Sequence, residues 1–483
     1  MSCDDTYLSK NIPCYNPNMD VLCYQILTNY DEAMFPRDLL TKLELWAVAE
    51  DRKPLVIRGA RQVGKTVTVK MFGERFESFI YLNLDVHGES DIFRRKLPVQ
   101  DTFQAILLKA KQSPVKGKTL LFLDEVQNCP EAVESLRYFY EELPHIHVIA
   151  AGSLLEIALH DKHISFPVGR VQQHFQYPLN FREYLTAMGA EEAVKAFDTI
   201  PVQTYAVDGL MDYFHRYALI GGMPEVVAGY VKDNNVTALN GIYDSLLVSY
   251  QDDVGKYARN PTMATVLRHC IETAPFAAGR RITFAGFGKS NYRSREVGEA
   301  LRTLQRALLI HLIYPSTSTK IPIVPDLKKS PRLQLLDTGL LNYFVGLQEQ
   351  FFYHDNLHAF YRGMVAEHIV GQELIAAASN TRKKQCFWVR EKSQAQAEVD
   401  FLVQYKGYIV PVEVKAGKTG RLRSLFQFMD RCPHPYAVRL YAGPLEVQPA
   451  RTLAGKKFYL LNIPYFLASH VHQYLDWMMV EIS

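Results

Sequence analysis

A chain of 483 residues is too long for one ordinary core and implies roughly two to four units, each able to bury a substantial apolar interior. Hydrophobic residues make up 48% and charged residues 22%, a globular balance, and a net charge of +3 is too small to argue for nucleic acid by itself, so any basic surface is local. No run approaches the roughly 18 apolar residues that span a bilayer and the start lacks a basic, then apolar, leader, which excludes a membrane role and predicts a cytoplasmic protein.

Residues 1–30 read as an N-terminal extension, and its cysteines, Cys3, Cys14 and Cys23, are spaced too widely for a zinc site. The odd total of seven cysteines, with no C-x-x-C pair, argues for reduced thiols. From Pro36 the pattern predicts helix over 38–50, strand over 54–58, a glycine turn, helix over 65–76, strand over 79–84, helix over 102–110, strand over 119–123, helix over 131–141 and strand over 146–151. Short apolar runs alternating with helical stretches indicate an α/β fold, a parallel sheet covered on both faces, in a unit spanning 31–204. Residues 205–345 are richer in helical pattern, and within them Ile282 to Pro315 reads as helix, turn, helix and strand, a candidate winged helix. Residues 346–483 return to strands around 386–415.

Two segments carry chemistry. In GARQVGKT, the residues Gly59, Ala60, Arg61, Gln62, Val63, Gly64, Lys65 and Thr66 satisfy G-x-x-x-x-G-K-[ST] in full, directly after the strand KPLVIR and at the start of a helix. Successive backbone N–H groups and a helix N-terminus can then converge on phosphates. Lys65 would reach the β- and γ-phosphates, and the Thr66 hydroxyl would ligate magnesium. Downstream, the apolar strand of TLLFLDEVQN ends in Asp124, placed to hold magnesium, and Glu125, placed to polarise an attacking water. Ser153, at the end of the next strand, could sense the γ-phosphate, and Arg170 could supply charge to the transition state from this or a neighbouring subunit. The absence of an N-K-x-D arrangement favours ATP over GTP.

The second segment is AEVDFLVQYKGYIVPVEVKAGK, residues 397–418. Glu398 and Asp400 alternate with apolar residues, as do Glu413 and Lys415, so all four polar groups share one face of their strands. With Lys406 and Gly407 as a two-residue hairpin loop, Asp400 falls opposite Glu413 and Glu398 opposite Lys415. Two facing carboxylates repel unless a hard cation such as magnesium or manganese lies between them, and Lys415 could then orient a water or stabilise a pentavalent phosphate. The alternative is a salt-bridged hairpin face. Pro411 prefers an edge or a position without a ladder bond.

The segments RKPLVIRGARQVGKT, TLLFLDEVQ, VIAAGSLLE, FPVGRV, YPLNFREYL, GGMPEVV, SPRLQLLDTGLLNYF, YRGMVAEHIVGQEL and EVDFLVQYKGYIVPVEVKAGK together resemble prokaryotic AAA-type ATPases with a restriction-endonuclease-like C-terminal half of unknown function. The resemblance runs from about residue 36 to about residue 425. It implies that Glu367 is the additional acid preceding a PD-(D/E)XK core made of Asp400, Glu413 and Lys415, although no proline precedes Asp400. It implies the fold more strongly than nuclease activity. In the middle region Arg293, Arg295, Arg302 and Arg306 cannot all share one helical face, so only part of the set could follow a phosphate backbone, and the winged helix could equally be an interdomain packing module.

Two readings follow. The first is an ATP-hydrolysing switch or motor with a metal-dependent nuclease-like domain acting on DNA or RNA. The second is an ATP-gated regulatory scaffold, in which a degenerate nuclease fold only binds nucleic acid or a protein partner. Under either reading the chain could form a homo-oligomer.

Overall fold

A computed structural model of the chain describes residues 34–153, 167, 169–256, 258–348, 364–378, 385–390, 397–417 and 422–482. The expected extension over 1–30, with its three cysteines, lies outside the described residues.

The chain enters through α1 (Asp38–Ala47) and a sheet built from β1 (Leu55–Arg58), β2 (Ser78–Asn83), β3 (Thr119–Asp124), β4 (His147–Gly152) and β5 (Gln172–Phe175). Their order is β2-β3-β4-β1-β5, and every pairing is parallel. Side-chain alternation sorts each central strand onto two apolar faces. Leu121 and Leu123 meet the helices α3 (Val99–Ala110) and α4 (Pro130–Glu142), whereas Leu120 and Phe122 meet α1 and α2 (Lys65–Gly73). With both faces covered, all six residues of β3 and of β4 are buried. Strand β5 is polar and partly exposed, so no apolar pattern announces it. Its place is fixed by backbone bonds, from Gln172 N to Pro54 O at 3.0 Å and from Gln176 N to Arg58 O at 2.7 Å.

After α5 (Phe181–Ala187) come α6 (Val207–Ile220), α7 (Pro224–Asp233), α8 (Asn240–Lys256), α9 (Pro261–Ala277) and α10 (Ser294–Arg306), then β6 (Ile310–Ser316), β7 (Arg332–Leu335) and α11 (Thr338–Phe344). The stretch 282–315 therefore holds one α-helix rather than two, because the preceding helix ends at Ala277. Gly286 and Gly288, both with positive φ, shape a short turn in place of the first expected helix.

The rest contains α12 (Met364–Ala377), β8 (Cys386–Val389), β9 (Glu398–Val399), β10 (Phe401–Tyr405), β11 (Tyr408–Lys415), α13 (Arg423–Met429), β12 (Tyr436–Tyr441), β13 (Glu446–Arg451), β14 (Lys457–Pro464) and α14 (Val471–Glu481). One sheet has the order β10-β11-β12-β14-β13, and a second, β7-β6-β8-β9, takes strands from both sides of residue 345. A single apolar cluster runs from Ala60 and Val63 through α6, α7 and α8 to α12 and α14. Among the described residues no helix is long and apolar enough to cross a membrane.

Candidate functional site

Strand β1 delivers the chain to a tight loop at the sheet's carboxyl edge. A Cβ at Gly59 would stand 2.4 Å from the Gln176 carbonyl oxygen, so only glycine fits there. Gly64, with φ 89°, turns the loop into α2. Inside the loop, Lys65 Nζ donates to the carbonyls of Gly59 at 3.1 Å and Ala60 at 2.7 Å. Burial pushes the Lys65 ammonium down to about 8, against the pull of Glu125 and Asp124. A cation this enclosed, held only by neutral carbonyls, is suited to receive an anion.

The Thr66 hydroxyl donates to Asp124 Oδ2 at 2.7 Å, which brings the expected magnesium-binding pair together. Asp124 is buried at the end of β3, and Tyr81 also donates to its Oδ2, at 3.4 Å. Glu125 follows in a left-handed conformation, φ 49°, and its Oε2 accepts a 2.5 Å bond from Gln127. Ser153 is buried just past the end of β4. Arg170 donates through Nε to Glu141 on α4 at 2.9 Å and is half exposed.

The loop is also gripped from outside by residues the sequence does not single out. Val63 O accepts from Arg37 at 2.8 Å and from Gln176 at 3.0 Å, and Arg37 is itself paired with Glu183 at 3.0 Å. Arg61 pairs with Asp253 of α8, and Tyr250 donates to Arg61 O at 3.2 Å. These partners lie far away in the chain, so no local motif could have revealed them.

Residues 51–185 match the family model described as an AAA domain. This part of the chain is similar to AAA-type domains, and its loop and parallel sheet are those of a P-loop fold. Two further models, each described only as a domain of unknown function, match residues 211–350 and 362–457. No curated protein matches the chain. Among solved structures, the Walker-type ATPase PABY2304 of Pyrococcus abyssi shares 14% identity, covering 65% of this chain and 96% of that one, at a TM-score of 0.41. The ORC2 protein of Aeropyrum pernix shares 11%, covering 68% and 98%, at 0.35. The RuvB Holliday junction branch migration motor of Thermotoga maritima shares 16%, covering 58% and 90%, at 0.27. Likenesses this low leave the site's own geometry to decide.

Beyond the AAA domain, the second motif folds as the expected hairpin. Lys406 and Gly407 have positive φ, 40° and 83°, and Phe401 pairs with Val412 and Tyr405 with Tyr408. Asp400, one residue before β10, accepts from Val414 N at 2.9 Å, and Lys415 donates to Glu413 Oε1 at 2.6 Å. Among the described residues Glu413 Oε2 has no hydrogen-bond partner. Burial first, then the nearby Asp400, push the Glu413 carboxyl up to about 8 against the pull of Lys415. The same two causes push Glu367 up to about 7, with Arg332 opposing.

Two expectations need correction. Glu398 does not face Lys415, because the chain bends at Asp400 and β9 leaves the hairpin to pair with β8, Glu398 opposite Val389. The expected metal ligands Glu367, Asp400 and Glu413 do not form an ion cage. Among the described residues no group of three His, Cys, Asp or Glu side chains is arranged to hold a metal. A guanidinium occupies the centre instead. Arg332, from β7, lies 2.8 Å from Glu398, 3.4 Å from Asp400 and 3.7 Å from Glu367, and stacks on Phe387 with its guanidinium carbon 4.6 Å from the ring centroid. Arg281 adds a second pair to Glu398 at 3.0 Å. The arrangement as it stands does not fit a divalent ion.

Proposed function

We propose that this protein binds and hydrolyses ATP at the 59–66 loop, and that hydrolysis gates the rest of the chain. The observation that carries the reading is the enclosed Lys65 ammonium beside the Thr66–Asp124 pair. Lys65 exchanges the loop carbonyls for β- and γ-phosphate oxygens, while backbone N–H groups of Ala60 to Thr66 line the cradle. Thr66 and Asp124 hold magnesium, which neutralises charge on the phosphates when bound. Glu125 positions the water and accepts its proton, and Ser153 reads the terminal phosphate. Arg170 completes a neighbouring subunit's site in a homo-oligomer, which fits its exposed guanidinium. We place the protein in the cytoplasm and keep the working division into 31–204, 205–345 and 346–483, the middle part acting as a winged-helix module.

For the C-terminal part, the Arg332 bridge supports the scaffold reading, a nuclease-like fold that binds nucleic acid or a protein partner without cutting. The other reading, a magnesium- or manganese-dependent nuclease, requires Arg332 to leave that centre; the Glu413 Oε2, without a hydrogen-bond partner among the described residues, is what favours it. A cleavage assay on plasmid and single-stranded substrates, with either metal and with and without ATP, separates them. The ATPase reading is tested with Lys65→Ala, which removes the charge enclosed by the loop. Phosphate release should fall at least about a hundredfold; equal turnover by the two purified proteins would refute the assignment.

A further inference from the structure

The contact between the phosphate loop and α8 is not needed to hold a phosphate. Arg61 stands two residues after Gly59, inside the loop, yet its guanidinium turns to a different part of the chain. Its Nη1 lies 2.5 Å from both oxygens of Asp253, which is almost fully buried on α8. One helical turn earlier on the same face, the Tyr250 hydroxyl donates to the Arg61 carbonyl. Side chain and backbone of one loop residue are thus both tied to one helix. Arg61 also lies in the field of Glu125 and Asp85, acids of the AAA domain. Its side chain is 46% exposed, so the pair has one side open to solvent.

Helix α8 buries one face in the molecule and leaves the other exposed. Tyr243, Leu246 and Tyr250 belong to the large apolar cluster, Tyr243 donates to Ile220 O at the end of α6, and Tyr343 of α11 donates to Asp244 at 2.7 Å. A shift of α8 would be felt by α6 and α11, and through them by α12.

We infer that the Arg61–Asp253 pair is a latch sensitive to the terminal phosphate, in which Arg61 leaves Asp253 for the γ-phosphate of bound ATP and so releases α8. The inference rests on the proposal that the loop binds ATP. Arg61 belongs to the same loop that cradles the phosphates, and its guanidinium pairs with Asp253 at 2.5 Å, so that the terminal phosphate and Asp253 compete for one guanidinium. Moving Arg61 takes a charge-assisted bond from a buried carboxylate and thereby favours a different placement of α8. ADP, lacking the third phosphate, leaves the pair closed. Coupling of this kind is reciprocal, so whatever moves α8 also changes the preference for ATP over ADP.

The test uses the full chain with magnesium, adenylyl imidodiphosphate and ADP. Binding of each nucleotide is measured by calorimetry, and amide hydrogen exchange of residues 240–253 is followed in each state. In the wild type, α8 amides should exchange faster with the triphosphate analogue than with ADP. Asp253→Asn, which keeps the shape and removes the competing charge, should raise the analogue-to-ADP affinity ratio about fivefold or more. Arg61→Met should lower that ratio and abolish the exchange difference. Equal α8 exchange in the wild type with both nucleotides would overturn the latch, whatever the variants do, and so would an unchanged ratio in folded Asp253→Asn. Failure of the wild type to bind either nucleotide would instead overturn the ATPase reading beneath it.

Discussion

Glu373 illustrates how a single residue can set a pH limit on the fold. It is fully buried on α12, where Oε1 accepts from Phe181 N at 3.1 Å and from the Tyr217 hydroxyl at 2.7 Å, and Oε2 has no hydrogen-bond partner among the described residues. Burial pushes its carboxyl up to about 8, so it carries a proton at neutral pH. The folded value lies above the unfolded one, about 4.3. Its stabilisation is therefore complete below the unfolded value and is lost as pH rises through the folded one, by up to about 1.4 kcal/mol per pH unit between them. Glu373→Gln keeps an acceptor and does not ionise. Between pH 5 and pH 8.5 its melting temperature should fall less than that of the wild type; parallel slopes would mean that the carboxyl is already ionised in the fold.

At the scale of elements, what could be read from the sequence depended on how local its cause was. The hairpin register followed from alternation and from the turn at Lys406 and Gly407, all within 397–415, and the structure has that register from Phe401 to Tyr405. The departure of Glu398 depended on β8, more than eight residues away in the chain, and the polar β5 depended on bonds to Pro54 and Arg58. Arg332 was invisible for the same reason, because an arginine in SPRLQLL announces no partner until the fold brings its side chain from β7 to Glu398 and Asp400. Its role can be tested. Arg332→Met leaves Glu367, Glu398 and Asp400 crowded without their shared cation, and should cost about 3–5 kcal/mol in urea unfolding. In a Lys65→Ala background, which takes away the loop's charge, manganese should leave the melting temperature of the Arg332-containing protein unchanged. A rise that disappears in Asp400→Asn would favour the nuclease reading.

At the scale of the whole molecule, the order of elements along the chain, alternating strands and helices, then mainly helices, then mainly strands, was legible as changes of pattern, but the joining of these parts was not. Ala60 and Val63, inside the phosphate loop, lie in the same apolar cluster as Met478 of α14, and a sheet is shared across residue 345. No periodicity in one segment can show contact with another several hundred residues away. If hydrolysis gates the rest of the chain as proposed, that shared core is the route, and hydrolysis itself is the claim on which everything else depends. The most direct measurement is phosphate release by Glu125→Gln, with ATP affinity determined on the same protein. The amide keeps the shape of Glu125 and cannot take a proton, so affinity should stay within a few fold of the wild type while the rate falls by about 10²–10⁴. Unchanged turnover with unchanged affinity would contradict the account, and loss of binding with loss of turnover would show that Glu125 only holds the loop in shape.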